Sequence, residues 1–247
     1  MDKEAEKEMN HASLCVLTFN RPDVTRRSLR TLSANTRAPY ELIILDDGSN
    51  DTTQAYLGTL IRQHAVSTVL FNTDRNLGIG IAVNRGFQIA RGDYLFKLDA
   101  DLMYEPGWLT ESMRLLQQHK KIGCLGLFKY WHKPRIFSEN IIETYLDYYE
   151  VVDFVGSAIG MRREVYDQFG PWFETSHTFG EDKQFKMAVQ AAGFHLALPK
   201  NDLAQNVGFG EYKTSLIKEV HMDTGKHIYH VPFKEPLIFG KRKQLDD

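Results

Sequence analysis

Two aspartates that stand one residue apart, Asp99 and Asp101, are the part of this sequence best suited to chemistry. They follow Tyr94–Leu98, a short apolar and aromatic run of the kind that forms a buried strand. Two carboxylates this close repel each other unless water solvates them or a cation lies between them. The spacing therefore favours a divalent-metal site for a phosphate-bearing ligand, although a polar turn after a strand would use the same residues.

Polar residues also follow the first and second apolar runs of the chain, at 18–21 and at Asp46 and Asp47. A carboxylate at such a strand end can accept hydrogen bonds from a base or a ribose. Arg21 can meet a phosphate or pair with an acid. The Asn-x-Gly-x-Gly pattern at 76–80 lets backbone approach a phosphate at a helix N-terminus, or simply starts a helix.

The elements that must position these residues alternate between strand and helix. The first half predicts strands at 14–19, 41–45, 67–71 and 94–98, with helices starting at 22, 52 and 76–80. In the second half, the sequence predicts helices at 106–118 and from 181 to about 192, and strands at 122–128 and 195–198. It also predicts an extended stretch at 141–154 and, from 156, a small-residue stretch that leads into a short helix. Strands that alternate with helices indicate βαβ units and a parallel sheet, so the strand-end residues should share one sheet edge.

Composition limits the classes of protein that remain. The chain has 247 residues, of which 43% are hydrophobic and 25% charged, with a formal net charge of −2. These values are typical of a soluble globular protein and do not favour general nucleic-acid binding. Cys15 and Cys124 lie in apolar runs, which predicts reduced core cysteines of a cytoplasmic protein. The sequence has no apolar run of membrane-spanning length, and Met1–Asn10 is too charged for a secretory signal.

Two common phosphate-binding patterns are absent from the sequence. No Gly-x-Gly-x-x-Gly follows the first strand, and no Gly-x-x-x-x-Gly-Lys occurs. A dinucleotide cofactor and a P-loop mechanism are therefore not expected.

Taken in order, the polar segments resemble family 2 glycosyltransferases of the GT-A fold, over roughly residues 12 to 208. The matching segments are Thr18–Arg21, Leu45–Asp51, Asn76–Gly78 with Asn84–Gly86, Gly92–Tyr94, Leu98–Asp101, Gly156–Ala158 with Arg162 and Arg163, and Gly180–Asp182. The resemblance implies an α/β fold: a Rossmann-like single domain with a mainly parallel central sheet flanked by helices. The expected domain spans 12–215, with a nucleotide-sugar half (12–105) and an acceptor half (106–215). The charge of the first residues predicts a leader (1–11), and the weaker pattern near the end predicts a C-terminal extension (216–247).

The same resemblance implies an inverting transfer from a nucleotide sugar, a UDP-sugar being favoured, with Mn²⁺ or Mg²⁺ as cofactor. Asp101 is then expected to bind the metal directly, and Asp99 to contact ribose or the metal through water. Asp46 or Asp47 is expected to hold the base. Asp182 matches the family's general base, with Glu181 beside it. The other donor-binding positions that the resemblance implies are Thr18, Phe19, Asn20, Arg21, Asn76, Gly78, Ala100, Gly156 and Ser157.

One position departs from the family pattern. Many relatives carry a metal-binding histidine where this chain has Asn206, and an amide is a poorer ligand. A third protein ligand is thus either missing or supplied elsewhere, the histidine candidates being His177, His221, His227 and His230.

Other functions stay open on the sequence alone. A nucleotidyltransferase shares the sheet and paired aspartates, and a non-catalytic nucleotide-sugar-binding module would share the fold. The acceptor is unknown: a glycan or other saccharide is favoured over a hydroxylated base in DNA, for which the basic residues Lys234, Lys241, Arg242 and Lys243 give mild support.

Overall fold

A computed structural model describes residues 11–63, 66–71, 76–129, 134–174 and 181–207, together with the backbone of 220–222 and 227–229. Residues 134–136 are likewise described by their backbone. The predicted leader up to residue 10 and most of the predicted C-terminal extension lie outside the described residues.

Helices and strands follow the predicted alternation closely in the first half. The helices are α1 Pro22–Asn35, α2 Thr53–Arg62, α3 Ile79–Ile89, α4 Trp108–Gln118, α5 Pro134–Glu139, α6 Arg163–Phe169 and α7 Glu181–Ala191. The strands are β1 Ala12–Thr18, β2 Tyr40–Asp46, β3 Thr68–Phe71, β4 Tyr94–Asp99, β5 Leu102–Tyr104, β6 Ile122–Gly126, β7 Ile141–Thr144, β8 Tyr148–Val151, β9 Ala158–Arg162, β10 His195–Pro199, β11 Ala204–Asn206, β12 Val220–Met222 and β13 His227–Tyr229.

Among the described residues, one large sheet contains nine strands in the order β3-β2-β1-β4-β9-β6-β10-β8-β7. The first four of these are parallel, as predicted, and β10 runs parallel to β6. β9 lies between β4 and β6 and is antiparallel to both. The α/β class with a central sheet and flanking helices is thus confirmed.

Within the nine-stranded sheet, β9 is the strand that the sequence did not predict; the short strands β5, β11, β12 and β13 outside this sheet were not predicted either. The sequence of β9, Ala158–Arg162, lacks the alternation that marks a half-buried strand. The structure shows why a small residue is needed there: a Cβ at Gly160 would meet Cε1 of Phe96 on β4 at 2.4 Å. The missing side chain leaves space on the face of the sheet for the ring of Phe96, the residue paired with Gly160 on β4.

The core lies on both faces of the sheet because alternate strand residues point to opposite sides. Leu14 and Val16 face one side, whereas Cys15 and Leu17 face the other. Residues of α1, α2 and α4 cover the first face, and residues of α3, α6 and α7 cover the second. Both cysteines are free and buried, as predicted. No helix in the described part of the chain is long and apolar enough to cross a membrane.

Candidate active site

The predicted strand-end residues meet at one edge of the sheet. In the register of the parallel strands, Thr18 of β1 lies beside Asp46 of β2, and Leu17 lies beside Asp99 of β4. The chain after β4 stays close to β1, since the backbone N–H of Ala100 donates to the carbonyl of Leu17 at 2.9 Å. The acids of β2 and β4 therefore stand on either side of the end of β1.

Asp99 is held by a buried lysine. The Lys97 ammonium, whose side chain is 1% exposed, lies 2.6 Å from Asp99 Oδ1 and donates to the carbonyl oxygen of Gly156 at 2.7 Å. The backbone N–H of Asp99 donates to the Ser157 carbonyl at 2.8 Å. Burial raises the pKa of Asp99. The Lys97 ammonium opposes this rise, and the Asp101 carboxylate adds to it. Lys97 thus joins the end of β4 to the 156–157 loop.

Asp101 is held by two side chains from distant parts of the chain. Its Oδ2 accepts a hydrogen bond from Arg21 at 3.0 Å, and its Oδ1 accepts one from the Asn206 amide at 3.1 Å. The backbone N–H of Val207 also donates to the Asp101 carbonyl at 2.9 Å. Asn206, the residue at the expected histidine position, is therefore adjacent to Asp101, because β11 pairs with β5.

Asp46 is buried, and both of its carboxylate oxygens accept hydrogen bonds. The Ser49 hydroxyl donates to Oδ1, and the Gln54 amide donates to Oδ2 at 3.1 Å. Burial raises the pKa of Asp46, and the hydrogen bonds from Ser49 and Gln54 oppose that rise. Asp46 thus fixes the turn between β2 and α2.

Asp47 binds the backbone that starts α3. Its Oδ1 accepts the N–H of Leu77 and its Oδ2 the N–H of Gly78, each at 2.9 Å. Gly78 has φ +95°, a conformation that a side chain would disfavour. The Asn76 side-chain oxygen also accepts the Gly78 N–H at 3.0 Å. The 76–80 segment, predicted either to approach a phosphate or to start a helix, leads into α3, and Asp47 binds its backbone.

The 18–21 loop is joined to the 48–53 loop by side chains. Thr18 Oγ1 lies 2.8 Å from Thr25 Oγ1. The Asn20 N–H donates to the Ser49 hydroxyl at 2.8 Å, while its side-chain oxygen accepts the Asn50 N–H at 2.8 Å. Phe19 is 37% exposed, which leaves its ring available at the site's rim.

On the other side of Lys97, Gly156 lies against Asp182. A Cβ at Gly156 would meet Oδ2 of Asp182 at 2.6 Å. The Lys186 ammonium lies 2.8 Å from this same Oδ2 and 2.5 Å from Oδ1 of Asp153, and it donates to the Phe154 carbonyl at 2.6 Å. Burial lowers the pKa of Lys186, but the two aspartates outweigh it, so that the net shift is upward.

Glu181 stands at the start of α7 with 4% of its surface exposed. Among the described residues, its Oε2 is buried without a hydrogen-bond partner. Burial raises the pKa of Glu181 to about 7; Lys97 opposes this rise, and Asp182 and Asp99 add to it. The influence of Lys97 and Asp99 places Glu181 near the end of β4.

The structure does not place the side chains of the remaining predicted candidates, which are the four histidines and the basic residues near the end of the chain. His177, His230 and the basic residues from Lys234 lie outside the described residues. His221 and His227 are described only by their backbone, in β12 and β13.

Sequence reasoning missed Lys97 and Lys186 as members of the site. Each is a lysine within an otherwise apolar pattern, and Lys186 stands four residues after Asp182 on one helix face. A lysine is rarely fully buried unless it is paired, so a lysine inside the run Tyr94–Leu98 was an available signal.

The carboxylates at the end of β4 suit a divalent cation by their chemistry. Asp99 and Asp101 supply hard oxygen donors, and Asp99 remains 27% exposed. An amide such as that of Asn206 can offer a carbonyl oxygen in place of its nitrogen. The residues present therefore fit a divalent metal, with Asp99 and Asp101 as the charged ligands.

Comparison with known proteins is consistent with this arrangement. The family model described as glycosyl transferase family 2 matches residues 13–170. An uncharacterized glycosyltransferase of Haemophilus influenzae is 22% identical over 200 residues, which cover 73% of this chain and 60% of that protein. The hyaluronan synthase of Pasteurella multocida is 30% identical over 122 residues, 48% of this chain and 12% of that protein.

Solved structures show the same fold. A mannosyltransferase from Pyrobaculum calidifontis, in complex with GDP-Man and Mn²⁺, superposes with a TM-score of 0.66 at 18% identity, over 79% of this chain and 56% of that one. GalNAc-T7 with UDP, GalNAc and Mn²⁺ gives a TM-score of 0.62 at 17% identity, over 76% of this chain and 41% of that one. The chain thus spans about 60% or less of the length of these four proteins.

Proposed function

Since this chain belongs to glycosyl transferase family 2, we propose that it transfers a sugar from a nucleoside diphosphate sugar to an acceptor hydroxyl, with inversion at the anomeric carbon. One observation carries the proposal: Lys97 contacts both Asp99 and the carbonyl of Gly156, and Gly156 packs against Asp182. The acids expected to act on the leaving group and on the acceptor thus belong to one continuous site.

The metal would be held by Asp99 and Asp101. Mn²⁺ or Mg²⁺ bound there would supply Lewis-acid stabilisation of the charge that develops on the departing diphosphate. The complexes of two structural neighbours with Mn²⁺ support this assignment. The chain's own part is to keep both carboxylates in place: the Lys97 ammonium lies 2.6 Å from Asp99 Oδ1, and the Asn206 amide donates to Asp101 Oδ1 at 3.1 Å.

The nucleotide would lie along the ends of β1 and β2, within the 12–105 half. Asp46 and Asp47 are proposed to border the base, and Phe19 offers an exposed ring beside them. Because Asp46 and Asp47 already accept hydrogen bonds from the surrounding turns, their positions are fixed before a ligand arrives. A uracil base is favoured, which makes a UDP-sugar the first donor to test.

Asp182 is proposed as the group that accepts the proton of the acceptor hydroxyl. A single displacement needs a base on the face opposite the leaving group. The Lys186 ammonium lies 2.8 Å from Asp182 Oδ2, and the absence of a side chain at Gly156 lets this carboxylate pack directly against the 156–157 loop. Glu181 is its neighbour on α7, and the acceptor would be a saccharide hydroxyl bound by the 106–215 half.

The test is transfer of radiolabelled sugar from a panel of UDP- and GDP-sugars, combined with calorimetry of UDP binding with and without Mn²⁺. We expect Asp101→Ala and Asp182→Ala each to lower turnover at least roughly 100-fold. Metal-dependent UDP binding should be lost in Asp101→Ala and retained in Asp182→Ala. Asp167→Ala, an exposed aspartate on α6, is the matched control.

Unchanged turnover in either active-site variant would contradict the role assigned to that residue. Binding without turnover in the native protein, across all donors and acceptors tested, would favour a non-catalytic binding module. Release of pyrophosphate from a nucleoside triphosphate would instead favour a nucleotidyltransferase, and transfer to hydroxylated DNA would replace the saccharide acceptor.

A further inference from the structure

Both carboxylates of the proposed metal site already face a cationic side chain of the protein. Lys97 lies 2.6 Å from Asp99, and Arg21 lies 3.0 Å from Asp101. The Arg21 and Asp101 side chains are only 19% and 9% exposed, so water screens this pair weakly. The negative charge that would attract a divalent cation is therefore substantially compensated within the protein itself.

Arg21 is brought to Asp101 by an unusual loop conformation. Asn20 has φ +44° and Arg21 has φ +150°, both in the region that disfavours residues with a side chain. The conformation is held from outside the loop: Ser49 and Asn50 bind Asn20, and the Arg21 N–H donates to Thr53 Oγ1 at 3.3 Å. The loop thus fixes the guanidinium in direct contact with a proposed metal ligand.

We propose that Arg21 competes with the divalent metal for Asp101, so that the protein binds the metal tightly only together with the nucleotide. The inference rests on the proposed function. A guanidinium and a divalent cation stabilise the same carboxylate and repel each other, so each weakens the binding of the other. A diphosphate offers Arg21 a second, bidentate anionic partner. Its arrival transfers the guanidinium to phosphate and leaves Asp101 to the metal.

A purely structural ion pair predicts the opposite behaviour. In that case Arg21 would only join the 18–21 loop to the chain after β4, and its removal would loosen Asp101. Metal binding would then weaken or stay the same, and the coupling between metal and nucleotide would not change.

The experiment measures Mn²⁺ affinity by electron paramagnetic resonance, for the full chain at one fixed pH, first alone and then with saturating UDP. Arg21→Gln should bind Mn²⁺ about tenfold or more tightly than the native protein when no nucleotide is present. The gain in Mn²⁺ affinity that UDP produces should shrink by about the same factor, because the coupling is reciprocal. Arg21→Lys keeps the charge and should stay within about twofold of the native value.

Two controls separate the possible results. Arg27→Gln removes the same charge from an exposed position on α1 and should leave Mn²⁺ affinity unchanged. Asp101→Asn should abolish the tight site in both the native and the Arg21→Gln backgrounds. Circular dichroism melting confirms the fold of each variant, and Arg21→Met serves as the second uncharged variant if Arg21→Gln does not fold.

The inference would be overturned if Arg21→Gln bound Mn²⁺ within twofold of the native affinity, or more weakly. The metal site would still stand in that case, provided that Asp101→Asn abolished Mn²⁺ binding. If Asp101→Asn had no effect on Mn²⁺ binding in either background, the metal site itself would be misassigned and the proposed function would fail with it.

Discussion

Two pairs of acids in this protein, Asp99 with Asp101 and Glu181 with Asp182, each lie beside a buried lysine. They differ in how many of their carboxylates contact a cation. Each pair has a buried lysine that also donates to a backbone carbonyl, Lys97 in one and Lys186 in the other. At the end of β4, both carboxylates face a cation. At the start of α7, the Lys186 ammonium lies 2.8 Å from Asp182 Oδ2, whereas Glu181 forms no ion pair with a described residue. Neither Asp182 Oδ2 nor Glu181 Oε2 has a hydrogen-bond partner in the described part of the chain.

This difference explains how one site can contain both a carboxylate paired with a cation and a buried carboxylate that retains its proton. A carboxylate paired with a side-chain cation stays in place and can exchange that cation for another. A carboxylate buried without such a partner retains a proton to higher pH, and the pKa of Glu181 is accordingly raised to about 7 by burial. The first pair suits a metal and a diphosphate, and the second suits proton transfer.

The largest loss of stability is expected on removal of Lys186, the buried cation that contacts two aspartates and a backbone carbonyl. Lys186→Met would leave Asp182 and Asp153 without their shared ammonium, so the free energy of unfolding should fall by about 3 kcal/mol. Lys97→Met should cost less, because Asp99 is 27% exposed and can be partly solvated. Urea unfolding of both variants checks the order, and an equal or reversed loss would break the proposed comparison.

Gly156→Ala should damage activity more than stability. Its Cβ would lie 2.6 Å from Asp182 Oδ2 and force that carboxylate to move. We expect kcat to fall about 100-fold, since small displacements of a reacting group are costly. Gly58→Ala in α2 is the control, because its Cβ would meet Arg62 at an ordinary 3.5 Å. Comparable kcat losses in both variants would argue against a specific role for Gly156.

Glu181→Gln should change how stability depends on pH. The folded pKa of about 7 exceeds the model-peptide value of 4.5, so the native state binds the proton more tightly than the unfolded state does. Native stability therefore falls as pH rises from about 4.5 to 7, by about 3 kcal/mol, and is nearly level above that range. The variant lacks this slope.

The comparison is made by urea unfolding at pH 5 and pH 8 in the presence of EDTA. Relative to the native protein, Glu181→Gln should become more stable as the pH rises between these values. Glu164→Gln, a change at an exposed glutamate, should keep the native pH slope. Parallel pH profiles for the native protein and Glu181→Gln would show that Glu181 titrates normally.

The smallest effect is expected for a cation that also contacts two acids but lies at the surface. Arg114 is 2.7 Å from Glu111 and 3.1 Å from Asp147, with its side chain 35% exposed. Water screens such pairs and competes for them. Arg114→Ala should unfold close to the native midpoint in urea, and a loss as large as that of Lys186→Met would show that burial is not what separates these ion pairs.

Local sequence patterns were enough to predict the order of elements in the first half and the acids at the strand ends. Apolar runs such as Tyr94–Leu98 specify strands locally, and a strand's end follows from where its apolar run ends. Helix starts were equally local: Pro22 begins α1, and α2 begins at Thr53, one residue after the predicted start, where the Thr53 N–H donates to Asp51 Oδ1 at 2.8 Å. The Glu181–Asp182 start of α7 was predicted on the same basis.

Which charged side chains form ion pairs depends on contacts between distant parts of the chain. Arg21 and Asp101 are 80 residues apart in the chain, and Asn206 and Asp101 are 105 apart, so no local pattern could pair them. The position of β9 between β4 and β6 could not be predicted either, because Gly160 packs against Phe96 of a strand distant in sequence and β9 has no alternating pattern. The ionic balance of each acid depends on these long-range neighbours, since burial and nearby charge are properties of the folded chain.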